Sequence, residues 1–321
     1  SDIDIMIDHA NAARKSLHGE DKDLEAVYSD GIVAGMKRVN DIESIMQQSL
    51  SEGEFRIYLQ PKWSIKDDCL VGAEALARWV RKDGTVIYPG DFIPVFENNG
   101  FIEKLDYYML EKLCMYMREY RREKIYKNIK ISINQSRILI LNPDYVKNVE
   151  KLVSKYEIPV EHLELEITET VFFDEREKMI EIVKSLKNIG IYLAMDDFGS
   201  GYSSLNLLKD VPFDVLKIDR EFFSETETSE TSILILEKIV EMAKALGIYV
   251  ICEGVETAKQ VEVLRKLGCE LVQGYYYGRP IPLEEFYEKY CRCEDEEDEL
   301  STTAGGDTAT GADPREKTAS A

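Results

Sequence analysis

Acidic and amide side chains stand at or close to the end of almost every β-rich run in this sequence, where they could bind metal ions and activate water. The set is Glu74, Asn134, Glu166, Asp196, Asp197, Glu253 and Gln273, together with one basic residue, Lys217. Clustered carboxylates repel one another, and their burial without a counter-charge is strongly unfavourable. A bound divalent cation is the simplest way to bring them together.

The donor types in this set predict which cations would bind. Oxygen-only ligands favour Mg²⁺ or Mn²⁺, whereas zinc prefers histidine or cysteine, and none of the three histidines lies at a predicted strand end. The adjacent pair Asp196-Asp197 suggests two cations, because one carboxylate can bridge metals about 3.5–4 Å apart while its neighbour serves the second. Such a pair polarises a water and stabilises the displaced oxygen. Calcium is expected to inhibit, because its larger radius and looser geometry disturb a site built for Mg²⁺.

Each of these residues also has a simpler interpretation when it is taken alone. Glu74 could be an ordinary surface carboxylate, and Lys217 a surface lysine, although a lysine inside an apolar strand is more typical of an ion pair. Arg78 could equally be a structural partner of a neighbouring acid. Asp197-Phe198-Gly199 also occurs in protein kinases, but no glycine-rich phosphate loop precedes it and no HRD loop exists. The coincidence of so many placements favours a shared site.

The elements that must position these residues follow a repeating pattern. From Phe55 onward, β-rich runs alternate with amphipathic helical stretches, which predicts βα units and a mostly parallel sheet. Eight strands are predicted, at Phe55–Gln60, Leu70–Ala77, Ile129–Asn134, Leu163–Thr168, Ile191–Asp196, Val215–Asp219, Tyr249–Glu253 and Leu271–Gly274. The turn Lys66-Asp67-Asp68 is too short for a crossover helix, so the first two strands should be antiparallel. We therefore expect an irregular TIM-like (β/α)8 barrel with one antiparallel strand, whose strand ends gather the polar set at one face.

Helical predictions rest on apolar spacing and on glycine positions. The spacing predicts helices over Leu105–Tyr116 and Ile233–Leu246, and Gly190 and Gly247 suit helix C-terminal caps. The segment Asp41–Leu50 predicts a helix with a polar face that leads into the barrel. The domain boundaries expected are an N-terminal fragment at 1–40, the barrel at 41–292 and an acidic, disordered tail at 293–321.

Composition limits the partners and the compartment. A formal net charge of -21 over 321 residues argues against non-specific nucleic-acid binding, which needs a basic surface. Any phosphate-bearing substrate must therefore be small and locally compensated. The six cysteines are scattered without zinc or redox spacing, and no apolar run approaches the roughly 20 residues of a membrane helix. We expect reduced thiols and a cytoplasmic location, although the parent protein could be anchored through other segments.

Short motifs in this order resemble those of EAL domains, the phosphodiesterases that open the bacterial second messenger cyclic di-GMP to linear pGpG. The motif Glu74-Ala75-Leu76 is followed by Ala77-Arg78-Trp79. The later motifs are Ser132-Ile133-Asn134, Glu166-Ile167-Thr168-Glu169, Asp196-Asp197-Phe198-Gly199, Leu216-Lys217-Ile218-Asp219, Glu253-Gly254-Val255-Glu256 and Gln273-Gly274-Tyr275. The resemblance runs from about Asp41 to Cys291.

The resemblance implies a role for each matching residue. Two divalent cations would be bound by Glu74, Asn134, Glu166, Asp196, Asp197 and Glu253. Lys217 would hold the attacking water, and Glu253 would assist metal binding or proton transfer. The substrate would contact Arg78, Gln60, Gln273 and Asp219. Glu169 would anchor the Asp197–Ser204 loop, which in the family couples metal binding, dimerisation and activity.

The same resemblance implies partners and leaves alternatives open. It implies a homodimer that forms through barrel helices and the Asp197–Ser204 loop. Residues 1–40 resemble the C-terminal end of a GGDEF domain without its signature, so an upstream GGDEF or sensor domain is expected in the parent protein. The alternative functions are a catalytically silent cyclic di-GMP receptor and a mainly regulatory, dimer-dependent role.

Overall fold

A computed structural model describes residues 30–122, 129–172, 175–199, 204–220 and 230–290 of the chain. The helices are α1 (Asp30–Ser51), α2 (Pro89–Asn99), α3 (Ile102–Arg122), α4 (Arg137–Ile140), α5 (Tyr145–Tyr156), α6 (Arg176–Ile189), α7 (Ser204–Asp210), α8 (Glu230–Ala245), α9 (Ala258–Lys266) and α10 (Leu283–Tyr290). The strands are β1 (Phe55–Ser64), β2 (Cys69–Val80), β3 (Val86–Ile87), β4 (Lys130–Asn134), β5 (Leu163–Thr168), β6 (Tyr192–Phe198), β7 (Val215–Ile218), β8 (Tyr249–Cys252), β9 (Leu271–Gln273) and β10 (Ile281–Pro282). Short 3-10 turns at Val160–His162 and Glu169–Phe172 flank β5.

Eight of these strands close into a barrel, in the order β1, β9, β8, β7, β6, β5, β4, β2 and back to β1. The strand β1 runs antiparallel to both of its barrel neighbours, β2 and β9, whereas the other barrel pairings are parallel. The fold confirms the predicted irregular barrel with one antiparallel strand. The sequence pattern did not predict β3 and β10, which are two residues long and lie outside the closed ring.

The hairpin formed by β1 and β2 is longer than the sequence pattern predicts. Its residues pair from Phe55 with Trp79 to Ser64 with Cys69, so hydrogen bonding continues up to the turn. As a result β1 ends at Ser64 instead of Gln60. The extension places Lys62 inside the barrel wall, opposite Gln273 of β9.

Helix predictions are confirmed where periodic apolar residues and glycine caps coincide. The periodic segments form α3 and α8. Gly190 ends α6 in the left-handed conformation, with its N–H donating to carbonyls of the last turn, and Gly247 also has a positive φ. The helix predicted at Asp41–Leu50 is present but begins at Asp30, so it continues across the expected boundary at residue 40. No helix in the described ranges is long and apolar enough to cross a membrane.

Two apolar layers define the inside and the outside of the barrel. Successive strand residues face opposite sides, and on β5 the buried Leu163, Leu165 and Ile167 belong to the main core between barrel and helices. A second, separate cluster is made by Ala194, Val215 and Ile251, with Leu271 packed against it. Because Ala194 pairs with Val215, and Ile251 with Leu271, this cluster forms an apolar floor on the side of the barrel interior made by β6, β7, β8 and β9.

Candidate active site

The polar residues of the barrel interior lie one layer above the apolar floor. Residues two apart on a strand share a face, so Asp196, Lys217 and Gln273 stand on the same sides of their strands as floor residues. The backbone therefore directs them toward the interior near the carboxyl ends of the parallel strands. This is the end where barrels of this type carry their chemistry.

Lys217 is the centre of this layer and is fully buried, with 1% of its surface exposed. Its Nζ lies 2.6 Å from Oε2 of Glu166 and 2.7 Å from Oε1 of Glu253. It also lies 3.2 Å from Oδ1 of Asp196 and 3.6 Å from Oε2 of Glu74. The Lys217 ammonium thus contacts four carboxylates, which lie on β2, β5 and β6 and directly after β8. The structure brings these predicted site residues together around a single positive charge.

Amide side chains extend this network across the mouth of the barrel. Asn134 donates through Nδ2 to Oε1 of Glu74 at 2.7 Å, and Gln273 donates through Nε2 to Oε2 of the same glutamate at 2.5 Å. Gln273 also donates to Gln60 at 3.2 Å, and Gln60 donates to the carbonyl of Gly278 at 3.3 Å. Both carboxylate oxygens of Glu74 are consequently oriented by amides.

The backbone is irregular at the two adjacent aspartates, Asp196 and Asp197. Neighbours on a regular strand point to opposite faces, but the pairing of β6 with β7 shifts register between Met195 and Phe198. Asp197 has a φ of 55°, in the left-handed region that aspartate tolerates better than most residues. Burial raises the pKa of the Asp197 carboxyl, and nearby Asp219 raises it further. The bulge therefore keeps Asp197 in the electrostatic field of the site.

Burial and the lysines act in opposite directions on the carboxyl groups. Burial raises the pKa of Glu253 to about 8, against the opposing effect of Lys217. It also raises the pKa of Glu74 and of Asp196, which Lys217 opposes in both cases. For Glu166 burial is outweighed, because the ammonium groups of Lys217 and Lys62 lower its pKa to about 2. Glu166 is therefore the carboxylate held most strongly in its ionised form.

The donors of this site fit a divalent cation by their chemistry. Carboxylate and amide oxygens are hard ligands of the kind Mg²⁺ and Mn²⁺ prefer, and the carboxylates outnumber the lysines. The buried Oε1 of Gln273 accepts no hydrogen bond from the described residues. Within the same ranges, no group of three acidic, cysteine or histidine side chains already has the arrangement of a metal site. The carboxylates instead converge on Lys217.

A cleft opens directly above the polar layer. It is lined by Gln60, Glu74, Leu76, Arg220, Glu253, Gly254, Glu256, Gln273, Gly274 and Tyr275. Three of these residues were not predicted as site residues: Arg220, which follows the motif ending at Asp219, and Glu256 and Tyr275, which lie within motifs. Arg78 lies beside the cleft, where its guanidinium is 5.8 Å from the ring centroid of Tyr58 and donates to the carbonyl of Ala77.

Two further charged residues, which the sequence pattern did not predict as site residues, are buried next to the metal-ligand candidate Glu166. Lys62 of β1 and Glu164 of β5 are both within the barrel, with 4% and 3% of their surfaces exposed. The sequence did contain a basis for predicting Glu164 as an interior residue, because it lies two residues before Glu166 on the same strand and therefore shares its face. Lys62 was not predicted as an interior residue because the predicted strand β1 ended at Gln60.

The prediction for Glu169, and those for the two ends of the chain, concern segments that lie partly outside the described residues. Glu169 is fully buried at the start of the 3-10 turn after β5. Residues 200–203 of the Asp197–Ser204 loop, which Glu169 was predicted to anchor, lie outside the described residues. The N-terminal residues 1–29 and the predicted acidic tail also lie outside them.

A barrel with one antiparallel strand and an acidic interior mouth is the architecture of a known family, to which this chain belongs. The family model of the EAL domain matches residues 43–280. Membership accounts for the order of the motifs and for their positions at the strand ends.

Named relatives and solved structures indicate what similar proteins do. The chain is 35% identical over 244 residues to the signaling protein YkoW of Bacillus subtilis, covering 76% of this chain and 30% of YkoW. It is 34% identical to the cyclic di-GMP phosphodiesterase RocR of Pseudomonas aeruginosa, covering 76% of this chain and 62% of RocR. The structure of the PaMucR phosphodiesterase in complex with c-di-GMP is 32% identical, with a TM-score of 0.73, and covers 77% of this chain and 99% of that one. The chain thus spans less than two thirds of the length of YkoW and of RocR.

Proposed function

We propose that this chain hydrolyses cyclic di-GMP to linear pGpG with the help of divalent cations. The observation that carries the proposal is the convergence of four carboxylates on Lys217 beneath an open cleft. The relatives named as cyclic di-GMP phosphodiesterases support the choice of substrate.

The proposed metal centre uses the oxygen donors of the polar layer. Glu74, Asn134, Glu166 and Asp196 would hold one cation, and Asp196 with Asp197 a second, with Glu253 assisting. Bound Mg²⁺ or Mn²⁺ would supply Lewis-acid polarisation of the attacking water and compensate the phosphate charge. The orientation of Glu74 by two amides supports its place in this set, because a carboxylate with both oxygens fixed is pre-organised for a ligand.

The chain's own residues would position the water and receive its proton. The ammonium of Lys217 can donate three hydrogen bonds, and in this proposal one of them holds the water. Glu253 is the carboxylate that would take the proton in this proposal, because it borders both the cleft and Lys217. The contact of 2.7 Å between Glu253 and Lys217 keeps the proton acceptor next to the donor that holds the water.

The substrate would enter through the cleft. Gln60 and Gln273 line it, and we propose that they contact the nucleotide there, with Asp219 in the adjoining strand end. Arg78 would meet a phosphate, and its partly buried guanidinium makes a charge-assisted contact stronger than a solvent-exposed one. These charges are needed locally because the chain as a whole carries a formal charge of -21.

The test is incubation of the purified chain with cyclic di-GMP, followed by chromatographic separation of the nucleotides. Release of pGpG in Mg²⁺ or Mn²⁺, its absence in chelator, and a reduced rate in Ca²⁺ are expected. The variant Asp196→Asn should be inactive, whereas Lys187→Met, which removes a lysine from an ion pair outside the site, should be active. Equal product from wild type and Asp196→Asn would overturn the proposal.

A second candidate function is a catalytically silent receptor for cyclic di-GMP. The cleft favours it as well, because the similar PaMucR structure is a complex with c-di-GMP, and binding in such a cleft does not by itself require turnover. Calorimetry distinguishes the two functions. Tight binding of cyclic di-GMP in chelator, with no turnover after addition of Mn²⁺, would identify a receptor.

Association and domain context complete the proposal. We propose a homodimer through barrel helices and the Asp197–Ser204 loop, and an N-terminal remnant of a GGDEF domain at 1–40 that belongs to a longer cytoplasmic signalling protein. Sedimentation and activity measured over the same concentration range test the dimer, because the rate per subunit should rise as the dimer forms.

A further inference from the structure

A second buried lysine lies beneath the proposed metal centre. The Nζ of Lys62 is 2.7 Å from Oε1 of Glu164 and 2.9 Å from Oε1 of Glu166. The other oxygen of Glu166, Oε2, is 2.6 Å from Nζ of Lys217. The two oxygens of the Glu166 carboxylate are therefore held by two different lysines, Oε1 by Lys62 and Oε2 by Lys217.

This arrangement fixes the orientation of Glu166. A carboxylate bound through a single oxygen can rotate about its last bond, whereas partners on both oxygens define its plane. Glu166 is buried with 1% of its surface exposed, so water cannot replace a lost partner. Glu164 has a different task, because its carboxylate holds the Lys62 ammonium and balances its charge.

From these contacts we propose that Lys62 is a positioning residue for the metal centre, and the proposal rests on the function proposed above. By holding Oε1 of Glu166, Lys62 fixes the plane of the carboxylate, so that Oε2 faces Lys217 and the other acids of the site, where a cation would bind. Glu164 anchors Lys62 in the place where it can do so. Removal of Lys62 should weaken metal binding even though it also removes a positive charge that repels metal ions.

The two effects have opposite signs, which makes the proposal testable. If Lys62 acted only through its charge, Lys62→Met would bind divalent cations more tightly than wild type. If Lys62 orients Glu166, Lys62→Met should bind them more weakly, by about 10–100-fold, as is usual when a residue that supports a metal ligand is removed.

The double variant Lys62→Met/Glu164→Met separates positioning from structural support. It removes both members of the lower ion pair and replaces them with apolar side chains of similar size, an exchange that buried pairs often tolerate. We expect it to recover much of the stability that Lys62→Met loses, because no unpaired Glu164 remains. It should not recover metal affinity, because Glu166 still lacks the Lys62 ammonium at Oε1 and keeps only Lys217 and the Ser132 hydroxyl as side-chain partners.

The experiment measures Mn²⁺ affinity by electron paramagnetic resonance and calorimetry on purified protein without nucleotide, alongside urea denaturation. Lys187→Met is the matched control, since its pair with Asp214 is only partly buried and lies outside the site; it should bind Mn²⁺ like wild type. Unchanged or tighter Mn²⁺ binding by Lys62→Met would overturn the inference, as would recovery of affinity in the double variant. A wild type that binds Mn²⁺ but releases no pGpG would refute the proposed function and leave this inference standing.

Discussion

Replacement of Lys217 with methionine tests how much one ammonium contributes to holding the acidic site together. Lys217 contacts carboxylates at 2.6 Å and 2.7 Å and is almost completely buried. Removing one partner of a buried ion pair usually lowers stability by about 3–5 kcal/mol, because the remaining charge is uncompensated. We expect Lys217→Met to lose a free energy of unfolding of that order at pH 8.

The loss should depend on pH in a defined direction. Without Lys217, the folded-state pKa values of Glu253 and Asp196 rise further above their unfolded values, because burial already raises both. Carboxyl groups with raised pKa values favour the folded state when protonated, and this contribution disappears as pH rises through the folded pKa. Lys217→Met should therefore be destabilised less at pH 6 than at pH 8.

Urea denaturation at both pH values, followed by tryptophan fluorescence, measures these free energies, with Lys187→Met as the control for removal of a lysine from a half-buried pair. Mn²⁺ should stabilise Lys217→Met more than wild type, because it replaces the missing positive charge, while hydrolysis stays abolished. A variant as stable as wild type at pH 8, or an equal loss at both pH values, would refute the reasoning.

Two further predictions concern Asp106, which contacts the segment after β4, and Gly274, which lines the cleft. Burial raises the pKa of Asp106 from 3.8 to about 7, so the free energy of unfolding should fall as pH rises through that interval. The variant Asp106→Asn can still accept the hydrogen bond from the Ser136 N–H, and in urea denaturation it should reduce this pH-dependent change by at most about 4 kcal/mol. An unchanged dependence on pH would contradict the prediction. The variant Gly274→Ala would place a Cβ against the backbone of Val255 at the rim of the cleft. We expect the free energy of unfolding to fall by about 1–3 kcal/mol and turnover to decrease, as measured by thermal unfolding and nucleotide release. Wild-type stability and turnover would show that the rim can move and would contradict the prediction.

Much of the barrel was predictable because its strands are short apolar runs between helices with clear periodicity. The ends of strands were less predictable. The β1 and β2 hairpin resumes after a register shift between Lys62 and Trp63, and neither this irregularity nor the polar residue Lys62 gives an apolar alternation that would extend the strand. The helix α1 likewise begins before the segment that periodicity selects.

The strand-end carboxylates were predictable from position alone, but their hydrogen-bonding partners were not. Position on a strand predicts that Glu166 and Lys217 approach each other, since both point inward near the same end. It does not predict that Glu166 shares its oxygens between Lys217 and Lys62, because that depends on the distance across the barrel. The register shift between Met195 and Phe198 and the left-handed φ of Asp197 also depend on backbone geometry that no motif encodes.

The most direct test of the account is the location of Mn²⁺ by anomalous diffraction from crystals grown with MnCl2. The account predicts anomalous peaks among the oxygens of Glu74, Asn134, Glu166 and Asp196, with Asp197 beside them. Crystals that show no such peak, or peaks only at surface acids, would contradict the claim that the barrel mouth is a metal centre.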